Sequence, residues 1–92
     1  MIYNLFMDIN DLIAIVKKKL KNKIVAESIR VEDKSFLHKN HPGNQKGKFH
    51  LKILINSNQL KKLSRIDSNK KIYKILDQEL KEYIHSLQIL IL

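Results

Sequence analysis

Ninety-two residues leave room for one domain, which buries roughly 60 to 65% of the surface its unfolded chain would expose. With 43% apolar and 29% charged residues, the chain reads as a folded globular protein rather than a disordered one. The net charge of +9 suits phosphate backbones or acidic proteins as partners, although Lys, Asn and Ile also share AT-rich codons, and the lack of cysteine excludes disulfides and any thiolate ligand from this chain.

The N-terminal MIYNLFM is apolar but has no basic leader, and it ends at Asp8. It fails as a signal peptide, and no run reaches the roughly 18 apolar residues of a membrane span. The expectation is a soluble cytoplasmic protein with no membrane association, a single domain over 1–92 in which residues 1–7 read as a dispensable N-terminal extension, residues 1–6 of it absent if Met7 is the initiator.

From Asp8 to Lys23, Ile9, Leu12, Ile13, Val16 and Leu20 keep helical spacing. Acidic residues open this helix and lysines close it, which suits the helix dipole, so the lysine cluster needs no nucleic acid to explain it. Ile29 and Val31, with Val25 at the same parity, predict a half-buried strand from Val25 to Asp33. The segment KSFLHKNHPGNQKGK follows and holds both glycines and the sole proline. A polar loop of this length inside a small domain is uncommon and is the first place to look for a site.

Lys48 to Asn56 alternates again, with Phe49, Leu51, Ile53 and Ile55 on one face. Ser57 or Asn58 then caps a short helix through Leu60, Leu63 and Ile66. A second helix is predicted from a cap at Asp67 or Ser68, carrying Ile72, Ile75, Leu76, Leu80 and Tyr83 on one face, with Asp77 four residues before Lys81. From Ile84 the period changes to an apolar, β-branched run of strand length. Helix, strand, strand, helix, helix, strand gives an α+β two-layer sandwich in αββααβ order, a three-stranded sheet covered by helices. Parity leaves the sense in which the last strand pairs open.

Four histidines are the main chemical feature. His38 and His41 form an H-x-x-H pair in the loop, and imidazole is a common ligand of transition metals, but solvated loop histidines have the same pattern. His50 lies off the apolar parity of its strand, as a surface or hydrogen-bonded residue does. His85 stands where helix passes into strand, either partly buried with its ring bonded to a carbonyl or available as a ligand. Nothing supports catalysis: there is no cysteine nucleophile, serine elbow or phosphate cradle, and the acid pairs Glu32/Asp33 and Asp77/Glu79 read as solvated. Lys61, Lys62, Arg65, Lys70, Lys71 and Lys74 can contact phosphates in a salt-sensitive way, and the interhelical turn Ser64–Asp67 lacks the glycines of the KH backbone grip.

The stretches VEDKSFLH (31–38), FHLKILINS (49–57), SRIDSNKKIYKIL (64–76) and ELKEYIHSLQI (79–89) resemble the BolA-like family, most specifically in I-H-S-L beside the family's I-H-A-L. The resemblance covers about Asp8 to Ile89. One departure is that Ser68, Asn69 and Lys70 stand where the family carries Arg-His-Arg. It implies a class II KH-like fold and a non-enzymatic protein, monomeric on its own, that pairs with a monothiol glutaredoxin. The pair shares a glutathione-ligated [2Fe-2S] cluster that the isolated chain does not bind. Some family members are described as DNA-binding transcription regulators. By position, the resemblance makes His85 one metal ligand and His38 the other, with His41 as substitute, and gives His50 a structural role. Two imidazoles can replace two thiolates at one iron, as in Rieske centres. Ligation needs an unprotonated ring nitrogen, so binding is expected to weaken below about pH 6 to 6.5.

Overall fold

The computed structural model describes residues 7–35 and 49–92. Helix α1, Ile9–Lys23, begins where Asp8 accepts the Asn10 N–H at 2.6 Å and ends where the Ile24 N–H reaches the Leu20 carbonyl. Its Leu12, Val16 and Leu20, one every four residues, are fully buried. The spacing that predicts the helix is therefore the stripe it packs on the sheet.

Strand β1 runs Ser28–Asp33, later than expected, and Val25 is 81% exposed. Gln59 and Ser57 hold its backbone instead. Its N–H donates to Gln59 Oε1 at 2.9 Å and its carbonyl accepts the Ser57 hydroxyl at 2.7 Å, while Ile24 takes the buried position. Strand β2, Phe49–Asn56, is central and places Leu51, Ile53 and Ile55 in the core. It pairs antiparallel with β1 and parallel with β3, Ile84–Ile91. Parallel neighbours need a crossover of a dozen or more residues, and the helices between β2 and β3 supply it.

That crossover differs from expectation. Helix α2, Asn58–Lys61, is a single turn capped by Ser57, and Ile66 is 67% exposed rather than buried. Helix α3, Arg65–Ile75, starts before Asp67, because Ser64 is the cap that accepts the Asp67 N–H at 3.0 Å. Ser68 is buried inside the first turn, its hydroxyl donating to the Ser64 and Arg65 carbonyls.

The single long helix is broken at Leu76, where φ −100° and ψ 19° leave the helical region, and α4 continues as Asp77–Glu82. The buried stripe Ile72, Leu76, Glu79 and Tyr83 keeps helical spacing across the break. Glu79, expected in solvent, is fully buried, and its Oε2 accepts from Lys19 Nζ of α1 at 2.5 Å. Asp77 keeps its expected partner, Lys81, at 3.0 Å. Together the elements form the α+β arrangement expected, three strands with helices over their buried face, the fourth helical segment being the product of the break.

Candidate functional site

The site is built where β3 begins. Tyr83 and Ile84 are buried and hold the strand's start, with the Phe49 N–H donating to the Tyr83 carbonyl at 2.8 Å. The ladder pairs Phe49 with Ile84 but His50 with Ser86, so β3 advances two residues for one of β2. His85 is the extra residue of this bulge. Bulges re-aim a side chain and interrupt pairing locally. Here the irregularity leaves His85 exposed between a buried Ile84 and an exposed Ser86.

His85 does not stand alone. Its ring stacks on that of His50, with centroids 5.0 Å apart and planes inclined by 30°. His50 is 6% exposed and more enclosed than its place on the sheet's polar parity suggests. Its Nδ1 shares a 2.6 Å hydrogen bond with the Ser86 hydroxyl, its N–H donates to Ser35 Oγ at 3.1 Å, and its carbonyl accepts the Lys34 N–H at 2.7 Å. Ser35 is held in turn by Asp33, whose Oδ1 accepts the Ser35 N–H. A buried, bonded imidazole therefore supports one face of an exposed one.

His38 and His41 lie outside the described residues. The residues bounding 36–48 do not: Ser35 is bonded to His50 and Phe49 is paired with Ile84, both at the His85 end of the sheet. Among the described residues, no group of three His, Cys, Asp or Glu side chains could hold a metal ion.

The basic residues divide between two clefts. Lys71 and Lys74 of α3 line one of about 650 Å³ together with Lys19, Asn22 and Lys23 of α1 and Ile75. Lys61 and Arg65 line another, against the far end of β3. Lys62 and Lys70 are exposed and line neither. The α1 lysines had an explanation in the helix dipole alone. Their place beside Lys71 and Lys74 depends on how α1 lies against α3, which no local pattern reports. The His50–His85 stack is equally non-local, since it requires the parallel pairing of β2 with β3.

The fold and this histidine-bearing bulge place the protein among small α+β domains without a cysteine of their own. Residues 20–92 match the family model described as BolA-like protein, and the chain belongs to that family. It is 27% identical over 73 residues to the DNA-binding transcriptional regulator BolA of Haemophilus influenzae, covering 79% of this chain and 68% of that protein. The BolA domain of SufE1 from Arabidopsis thaliana superposes with a TM-score of 0.76 at 25% identity, over 91% of this chain and 93% of that one. BolA1 from Mus musculus shares the fold, with a TM-score of 0.70 at 19% identity over 86% of this chain and 62% of that one. No helix among the described residues is long and apolar enough to cross a membrane.

Proposed function

We propose that this chain is a non-enzymatic, cytoplasmic adaptor that pairs with a monothiol glutaredoxin and supplies imidazole ligands to a shared [2Fe-2S] cluster, serving cluster trafficking or iron regulation. The observation that carries this role is His85: an exposed imidazole on a bulge, supported by a buried one, at the end of the sheet where the bounding residues of 36–48 are fixed. Three peptide units separate His38 from Ser35, a contour of at most about 11 Å. The donor chemistry is consistent with a shared site, because a chain without cysteine must leave the thiolates to its partner and to glutathione. Neutral imidazoles in place of thiolates make a cluster less negative and raise its potential. His85 and either His38 or His41 are the residues that would hold it.

Co-reconstitution tests this role. Mixing the chain with a monothiol glutaredoxin, ferrous iron, sulfide and glutathione should give a heterodimer whose visible circular dichroism differs from that of the glutaredoxin alone. With His85→Ala the glutaredoxin's own spectrum should persist. An identical spectrum from both proteins would refute ligation by His85.

A second role, duplex DNA binding in transcriptional regulation, is favoured by the likeness to the Haemophilus influenzae DNA-binding transcriptional regulator and by the lysine-lined cleft between α1 and α3. It requires affinity that falls steeply with salt and sequence preference that survives at physiological salt.

A further inference from the structure

The two edges of the sheet are defended differently. Strand β1 carries Arg30, Glu32 and Asp33 within six residues, whereas β3 has no charged residue, proline or glycine from Ile84 to Ile91. Edge strands are usually kept from pairing with other chains by charges, proline, brevity or a bulge. The bulge of β3 lies at its first residues, and the rest of the edge has no such protection.

Which backbone groups this edge presents follows from one bond. The Leu92 N–H donates to the Ile55 carbonyl at 2.9 Å, so by the two-residue period Leu90 and Gln88 also turn towards β2, and Leu87, Ile89 and Ile91 turn outward. Tyr73 confirms this direction, because its hydroxyl donates from α3 to the Leu87 carbonyl at 3.4 Å and closes the edge there. Among the described residues, no hydrogen bond from outside the sheet engages the backbone of Ile89 or Ile91.

Beside these two residues lies a cleft of about 210 Å³, lined by Ile89, Leu90 and Ile91 on one side and by Leu63, Lys61 and Arg65 among the residues opposite. It is smaller than the roughly 300 to 1,000 Å³ of small-molecule sites, a size that suits a side chain carried on a polymer. Its apolar components are accessible, with Leu63 40% and Leu90 41% exposed. Its lining includes two cations and no acid, and neither Lys61 nor Arg65 forms an ion pair among the described residues, Lys61 donating instead to Asn56 Oδ1 at 3.0 Å.

We propose that the outer edge of β3 at Ile89 and Ile91, with the adjoining cleft, is a docking site for an extended peptide segment of alternating acidic and apolar residues. The segment adds as a fourth strand, its main chain bonding Ile89 and Ile91, an apolar side chain entering beside Leu63 and Leu90, and a carboxylate meeting Arg65 and Lys61. A second copy of this chain is the poorer occupant, because bringing two +9 molecules together is opposed by the charge that draws an acidic segment in. This site lies at the far end of β3 from His85 and is independent of cluster ligation.

The test uses the full chain labelled with ¹⁵N and two blocked hexapeptides, one alternating glutamate with valine and the other lysine with valine. The glutamate peptide should slow amide exchange at Ile89 and Ile91 by at least about tenfold, and the lysine peptide should not. Arg65→Glu and, separately, Lys61→Glu lie on exposed positions and should weaken the glutamate peptide by at least about tenfold while the spectrum stays dispersed. Absence of protection, equal protection by both peptides, or affinity unchanged in both variants would overturn the site. Protection that appears without peptide and rises with protein concentration would assign the edge to a second copy and overturn the proposed occupant.

Discussion

His50 and His85 form a stacked pair across the β2–β3 boundary, one ring buried and hydrogen-bonded, the other exposed on a bulge. In the proposed cluster site the pair would divide the work, the buried His50 ring fixing the orientation of the exposed His85 ring.

Removing the Ser86 hydroxyl tests that support. Ser86→Ala deletes the 2.6 Å bond to His50 Nδ1 and should lower stability by about 1 kcal/mol in urea denaturation. The His85 ring protons should shift in the same variant, because the surface they stack on is no longer held. Unmoved His85 resonances would mean that the stack does not depend on the hydroxyl.

The Lys19–Glu79 pair links α1 to α4 and should respond asymmetrically to substitution. Lys19→Met leaves a fully buried carboxylate without this cation and should cost about 3 kcal/mol, towards the low end for buried pairs because the Lys19 side chain is a third exposed. Replacing both, as Lys19→Met with Glu79→Leu, should recover most of that loss. Equal denaturation midpoints for the single variant and the wild type would show that the pair contributes nothing to stability.

Ser57 is buried and serves twice, accepting the Leu60 N–H as the cap of α2 and donating to the Val25 carbonyl. Ser57→Ala should destabilise the fold by about 1 to 2 kcal/mol. Amide exchange should rise at Leu60 and in the Ile24–Ser28 connection together, since one hydroxyl fixes both.

Acidification should release the shared cluster. Imidazole ligates through an unprotonated nitrogen, so lowering the pH favours the competing proton, and in the proposed heterodimer the visible spectrum should fade as pH falls through about 6 to 6.5. A glutaredoxin homodimer held by thiolates and glutathione serves as the control for acid loss unrelated to histidine.

The order of elements was legible because Leu12, Val16 and Leu20 keep a helical period and Leu51, Ile53 and Ile55 keep a strand period, and each set is buried as its period requires. The break at Leu76 was not, since Ile72, Leu76 and Leu80 continue a single helical stripe across it and no glycine or proline marks the place. Glu79 reads as solvated because it is charged, yet it stands three residues after Leu76 and four before Tyr83 on the same buried stripe, and the cation it meets, Lys19, is sixty residues away. At the site, His85 drew notice from its position at a helix-to-strand junction, but its bulge and its stack on His50 arise from pairing between distant strands. The loop histidines, His38 and His41, lie outside the described residues, so their part in the site rests on sequence and family likeness.

The most direct measurement is pulsed electron paramagnetic resonance of the reduced cluster in the heterodimer, with this chain alone labelled with ¹⁵N-histidine. Imidazole ligation by this chain predicts strong ¹⁵N couplings from directly bound nitrogen, which are lost in His85→Ala. Couplings that are absent in the wild type, or that survive unchanged in His85→Ala, would contradict the assignment of His85 as a ligand.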